Sequence, residues 1–214
     1  MKSFLIIGMG HFGHHLCRSL AETDCEIMIV DKDEAAIEDM LPYVVSAKIG
    51  DCTNIEVLET FDVPSFDVCF VCMGENFQNS LEITSLLKDC GAKKVVTKAD
   101  MDIQEKFLLR NGADAVIYPD KNMAERYAIS ESNEHIFDYI NLDSDHSIYE
   151  IDVADRWVGK TVRELNFRVN YNLSVLATKN GHKVSPVISG VQRFEKGDHL
   201  LVLGTLEDVR KATK

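Results

Sequence analysis

The sequence is short of proline (4 in 214 residues) and has a single tryptophan. It also lacks any run approaching the roughly 18 apolar residues needed to cross a bilayer, which excludes a membrane-spanning helix. Basic charge is in deficit: Lys+Arg 23 stand against Asp+Glu 35, for a net charge of −12. Phosphate-backbone binders gain affinity from basic surface, so no nucleic acid is expected as a partner. The opening Met1-Lys2-Ser3-Phe4-Leu5-Ile6-Ile7-Gly8 meets glycine after a short apolar stretch, with no cleavage-site pattern. A cytoplasmic protein is expected.

Six cysteines (Cys17, Cys25, Cys52, Cys69, Cys72, Cys90) in such a chain read as reduced thiols rather than a disulfide frame. Cys69 and Cys72 form a C-x-x-C, the spacing of redox and zinc sites. They lie in the β-like run Phe66–Met73, where an odd offset sends the two side chains to opposite faces. Both are expected to be small core residues.

What is present is alternation. Short runs rich in Val and Ile recur at Ser3–Gly8, Glu26–Asp31, Val44–Ile49, Val68–Met73, Lys94–Lys98 and Ala115–Tyr118. Between them apolar residues fall at helical spacing, as at Phe12, Leu16 and Leu20. Strands and helices in this order predict an α/β fold over residues 1–118, a Rossmann-like doubly wound parallel sheet. Residues 119–142 read as crossover or connector helices, with Asn122–Ser132 helical and His135–Leu142 a second short amphipathic piece. Residues 143–214 place strands from Ser147, at Leu173–Thr178 and at His199–Leu203. A short helix through Val162, Leu165 and Phe167 and a closing helix from Leu206 complete a smaller α+β C-terminal lobe.

The chemistry is concentrated in Gly8-Met9-Gly10-His11-Phe12-Gly13, a G-x-G-x-x-G where the first strand ends and a helix begins. Asp31 follows about 20 residues on, at the tip of the second strand. Gly8 permits the tight turn, Gly10 lets phosphates approach the backbone, and Gly13 lets helix and strand pack closely. The helix N-terminus supplies N–H donors and partial positive charge. Asp31 can accept from ribose hydroxyls and repels a 2′-phosphate. Adenine-nucleotide binding is the expectation. Asp51, Cys52 and Thr53 follow the third strand, and Gly74, Glu75 and Asn76 follow the fourth, which ends at Met73; these are strand ends where an open sheet holds its ligand. Lys98 ends the fifth strand on the same edge, where it can meet a phosphate. With His11, Phe12 and Lys32 these residues make up the candidate cofactor-binding set.

No catalytic set accompanies the loop. No Tyr has a Lys four residues on, and no nucleophile–base pair or HExxH helix stands out. Asp143-Ser144-Asp145-His146 reads as a solvated polar loop, so no metal site is expected. The chain reads as a binding module and not an enzyme, with a small NAD-dependent oxidoreductase as the alternative.

The sequence resembles the regulator of potassium conductance (RCK) family of the KtrA/TrkA type over essentially its whole length. The glycine loop carries the resemblance, with Val30-Asp31-Lys32, Gly50-Asp51-Cys52-Thr53, Gly74-Glu75-Asn76-Phe77-Gln78-Asn79-Ser80, Leu86-Leu87-Lys88, Thr97-Lys98-Ala99, Gly112-Ala113-Asp114 and Lys196-Gly197-Asp198. It implies a cytosolic gating subunit that binds ATP/ADP or NAD(H), attached to the inner face of the membrane through a potassium-translocating partner. It further implies a crossover helix exchanged with a neighbour, a C-terminal RCK-C lobe that pairs in a homodimer, and assembly into an octameric ring. Cyclic di-AMP is implied as a second ligand near Arg168, Tyr171, Asn172 and Pro186. ATP-sensing members carry Arg in the glycine loop where this chain has His11. An unperturbed His is mostly neutral at pH 7, which leaves ADP, AMP and NAD(H) open beside ATP.

Overall fold

The structure, a computed structural model, describes residues 1–74, 76–186 and 190–214. Two compact units divide the chain at Lys121/Asn122. The first contains strands β1 (Lys2–Ile7), β2 (Cys25–Asp31), β3 (Ser46–Ile49), β4 (Val68–Val71), β5 (Val95–Lys98) and β6 (Ala115–Ile117). Helices α1 (His11–Ala21), α2 (Glu34–Glu38), α3 (Ile55–Leu58), α4 (Phe77–Asp89) and α5 (Asp102–Arg110) alternate with them. All strand pairs are parallel and the spatial order is β3-β2-β1-β4-β5-β6. This is the Rossmann-like doubly wound sheet the alternation predicts.

The apolar strand runs follow from burial on both faces. Leu5 and Ile7 of β1 join Leu58 of α3 and Ile83 and Leu87 of α4 in one core. Ile6, between them, points the other way and joins Cys17 of α1 and Ile37 of α2. The same parity separates the C-x-x-C: Cys69 lies in the first of these cores and Cys72 in the second. Burial pushes both thiols up to about 12, so neither supplies a thiolate at neutral pH.

Helix α6 (Pro119–Glu131) crosses the division between the units and has no buried residue. The second unit holds β7 (Ile136–Asn141), β8 (Ser147–Asp152), α7 (Val162–Leu165), α8 (Phe167–Asn170), β9 (Ser174–Asn180), β10 (Lys183–Ser185), β11 (His199–Gly204) and α9 (Leu206–Thr213). Its antiparallel sheet runs β10-β9-β11-β8-β7. Residues 136–141, expected among the connector helices, are therefore an edge strand. Trp157, Phe167 and Phe194 anchor the core of this unit with Tyr149, Ile151, Leu200 and Val202 from the sheet.

On β8, Tyr149 and Ile151 face that core, and Glu150 lies on the opposite face. Its carboxylate accepts from Lys179 Nζ at 2.8 Å and meets His199 Nδ1 at 2.7 Å. Burial raises the Glu150 carboxyl, but its bonds to Lys179 and His199 outweigh this and hold it below the usual carboxylate range. A carboxyl lowered on folding contributes stability that is present above its unfolded pKa and lost as pH falls through the folded one. Glu150→Gln is thus expected to lower the urea midpoint of the second unit at neutral pH, with the gap to wild type narrowing in acid. A gap that does not change with pH would show that the charge contributes nothing.

Candidate functional site

At the β1/β4 junction the strand order changes direction, the place where an open parallel sheet holds a ligand. A cleft of about 520 Å³ lies at these strand ends. Gly8, Met9 and Gly10 line it after β1, Lys32 and Asp33 after β2, Gly50, Asp51 and Cys52 after β3, and Met73, Gly74 and Asn76 after β4. Asp31, the last residue of β2, completes that side.

The three loop glycines are there for three reasons. Gly8 has φ +95°, and a Cβ on it would stand 2.9 Å from Met73 Cγ. At Gly13 a Cβ would stand 2.1 Å from the Gly8 carbonyl oxygen, so the turn and the helix close on each other only without side chains. Gly10 is different: its φ of −70° suits any residue, and a Cβ there meets nothing within 4 Å. The fold does not require glycine at this position, and its absence of a side chain leaves the backbone open to the cleft.

Gly10 is also the N-cap of α1, which has no side-chain cap and no acid in its first turn. Across the cleft, α2 and α4 are capped by Asp33 and Asn76, whose side chains accept from the backbone N–H groups of Ala35 and of Gln78 and Asn79. The first-turn amides of α1 are therefore left to solvent or to an anion, at the positive end of the helix dipole.

Asp31 fixes the loop from the other side. Its Oδ2 accepts the Met9 N–H at 2.6 Å and its Oδ1 the Asp33 N–H at 3.0 Å. Asp51 accepts from Thr53 Oγ1 at 2.7 Å and Thr53 N at 3.0 Å, and these two bonds hold its carboxyl below the usual range. The cleft thus has carboxylates along its β2 and β3 side and bare amides on its β1 side. That polarity suits a molecule with hydroxyls at one end and phosphate at the other. Cys52, on the floor, is pushed up to about 12 by burial and stays a neutral thiol.

Residues 4–119 match the TrkA-N domain and residues 147–214 the TrkA-C domain. The chain belongs to the TrkA (RCK) family. It is 35% identical to Ktr system potassium uptake protein C of Bacillus subtilis (strain 168), over 100% of this chain and 96% of that protein. To Ktr system potassium uptake protein A of the same organism it is 30% identical, over 98% and 95%. Among solved structures, the GsuK RCK domain superposes with a TM-score of 0.70 at 16% identity, and the GsuK channel bound to NAD with 0.69 at 15%. These cover 99% and 97% of this chain but 47% and 38% of theirs, so the chain spans less than half of either. They share its fold.

Within this TrkA-family chain the cleft gathers Gly8, Gly10, Asp31, Lys32, Asp51, Cys52, Met73 and Gly74 of the expected set. Others stand behind it. Phe12 packs into the α1/α2 core, Gly13 is the helix–strand contact, and Thr53 holds Asp51. His11 is exposed as the first residue of α1. Lys98 is 14% exposed and pairs with Asp100 at 2.5 Å. Glu75 lies outside the described residues. Asn76, placed by the sequence at the end of the fourth strand, also lines the cleft, as do Asp33, Ala36, Asn79 and Ile83, which sequence reasoning passed over. Asn76 and Asp33 each carried a signal, since a polar cap placed just after a strand of a doubly wound sheet points into the ligand crevice.

The residues suggested for a second ligand make different contacts. Arg168 lines a groove of about 530 Å³ with Val162, Arg163, Asn166, Phe167, Leu173, Val175 and Gly190. Tyr171 turns inward, its hydroxyl accepting from Trp157 Nε1 at 3.0 Å. Asn172, in the left-handed region at φ +54°, donates to Asp208 Oδ2 at 2.8 Å. Pro186 lies at the edge of the described residues. Among the described residues, no three His, Cys, Asp or Glu side chains gather to hold a metal ion, and no helix is long and apolar enough to cross a membrane.

Proposed function

We propose that this chain is a cytosolic gating subunit of a potassium uptake system, whose cleft binds an adenine nucleotide and whose ligand state sets the shape of a ring of copies. The observation that carries this is the bare, glycine-opened start of α1 facing the Asp31 and Asp51 carboxylates across one cleft. The full-length similarity to Ktr system potassium uptake proteins supports the transport role, and that role makes the chain a regulator and not an enzyme. Binding moves a gate only through a difference in affinity between two ring shapes. Helix α6, with no buried residue and with Met123 and Tyr127 exposed, supports exchange of this helix with a neighbouring copy. A homodimer, an octameric ring and a membrane potassium-translocating partner follow from the RCK resemblance. The RCK resemblance alone supports cyclic di-AMP as a second ligand of the second unit, near Arg168.

Calorimetric titration of nucleotide-stripped protein with ATP, ADP, AMP, NAD and NADH tests the reading, with cyclic di-AMP in a separate run. Micromolar binding of one or more of the first five supports it, and failure of all five overturns it. Replacing His11 at the start of α1 by arginine adds a permanent charge that forks onto phosphate. His11→Arg is expected to shift the ATP-to-ADP affinity ratio toward ATP by about tenfold, the scale of one charge-assisted hydrogen bond. An unchanged ratio would remove His11 from phosphate sensing.

A further inference from the structure

Lys98, at the end of β5, has an ammonium that lies against the cleft wall. A Cβ placed on Gly74 would stand 2.9 Å from Lys98 Nζ and 3.3 Å from Asp100 Oδ2. Gly74 lines the cleft, so glycine at this position leaves a window with no side chain between the ion pair and the ligand space. Behind the window Lys98 Nζ contacts Asp100 Oδ1 at 2.5 Å, with the two side chains 14% and 32% exposed.

Asp100 is tied down by its backbone on two sides. Its N–H donates to Gln104 Oε1 at 2.8 Å, and Gln104 is buried in α5. Its carbonyl accepts from the hydroxyl of Tyr118, the residue immediately before α6. Two residues on, Asp102 Oδ1 pairs with Lys121 of α6 at 2.6 Å. The segment from Lys98 to Asp102 therefore touches the cleft at one end and the first turn of α6 at the other.

We propose that Lys98 is exchanged between Asp100 and a nucleotide phosphate at the Gly74 window, and that Asp100 passes this exchange to the start of α6 through Tyr118. The proposal rests on the cleft being a nucleotide site. A phosphate competes for the ammonium as a more highly charged acceptor. Once Lys98 turns to it, Asp100 is left as an unpaired carboxylate next to an anion, and repulsion loosens the segment that holds the Tyr118 hydroxyl. Occupancy of the cleft thereby changes the footing of the one helix that leaves the first unit.

The test combines ADP calorimetry with amide hydrogen exchange on the full-length protein. Lys98→Gln is expected to weaken ADP about tenfold, as loss of a charge-assisted bond. Asp100→Asn removes the competitor and is expected to tighten ADP about threefold, the scale of a partly exposed ion pair. ADP is expected to protect the glycine loop of wild type while speeding exchange over residues 99–102 and 118–122. In Asp100→Asn, which has neither the ion pair to break nor the charge to be repelled, ADP is expected to leave exchange at both segments unchanged. If wild type binds no nucleotide, the reading of the cleft fails and this inference with it. If wild type binds ADP while Asp100→Asn leaves affinity unchanged, or wild-type exchange at 118–122 ignores ADP, the inference alone is overturned.

Discussion

Gly13→Ala is expected to destabilise the first unit by roughly 3 kcal/mol or more, the upper range for forced overpacking, and to abolish nucleotide binding with it. The added methyl would sit 2.1 Å from the Gly8 carbonyl oxygen, and that atom belongs to backbone held on both sides. Gly8 N–H donates to Val30 of β2, and the turn it makes leads straight into α1. Neither the helix nor the strand can move without opening the α1/β1/β2 core. Gly10→Ala is the companion experiment. Its Cβ meets nothing within 4 Å, and Gly-to-Ala at an N-cap costs about 1 kcal/mol or less. The urea midpoint is expected to stay close to wild type while ADP affinity falls by roughly tenfold or more, because the methyl occupies the approach to the α1 amides. A Gly10→Ala protein that binds ADP as wild type does would place the phosphate somewhere other than over this loop.

The second large effect is expected in the other unit. Trp157 is fully buried, with Phe167 and Tyr171 edge-on to its ring at 4.9 and 5.4 Å between centroids. Its Nε1–H donates to the Tyr171 hydroxyl at 3.0 Å. Trp157→Ala removes the largest side chain of that core and is expected to cost about 3–5 kcal/mol, read as a lower urea midpoint by circular dichroism. It also removes a donor from Tyr171. Burial raises the Tyr171 phenol, but the Trp157 N–H and the nearby Arg156 outweigh this and hold it below its usual value. Trp157→Phe, which preserves most of the packing, is therefore expected to shift Tyr171 ionisation upward in a spectrophotometric titration. A midpoint unchanged in the alanine variant would mean that Trp157 does not anchor the core.

How far the sequence carries the fold depends on whether local pattern and tertiary role coincide. In the first unit they do: each buried parallel strand is a short apolar run, and Gly8, Gly10, Gly13 and Asp31 stand in register with the strand ends they serve. The strand β7 was hidden by its own irregularity. Ile136 pairs with Ile151 and Tyr139 with Tyr149, and a register shift between Ile136 and Asp138 puts an extra residue in between. Two core-side residues are thereby three apart, the spacing of a helix, and the alternation that marks a strand is lost. In the cleft the residues after the strand ends were legible, because sheet topology alone sends them there. Asn79, Ala36 and Ile83 were not, since they reach the cleft from helices. The partner of Lys98 was equally hidden: a lysine at a strand end reads as a phosphate ligand, and nothing in Lys98-Ala99-Asp100 says that the carboxylate two residues on already holds it.

The single tryptophan of the chain is Trp157, and the cleft proposed to take a nucleotide is built from residues before Lys121. With respect to indole emission the unit that holds the cleft is therefore dark, and the whole signal originates in the other unit. A nucleotide that merely fills the cleft leaves the spectrum as it was; one that alters the surroundings of Trp157 has done work across the division of the chain. In the unlabelled wild-type protein, an emission change on adding ADP is a direct optical readout of communication between the two units.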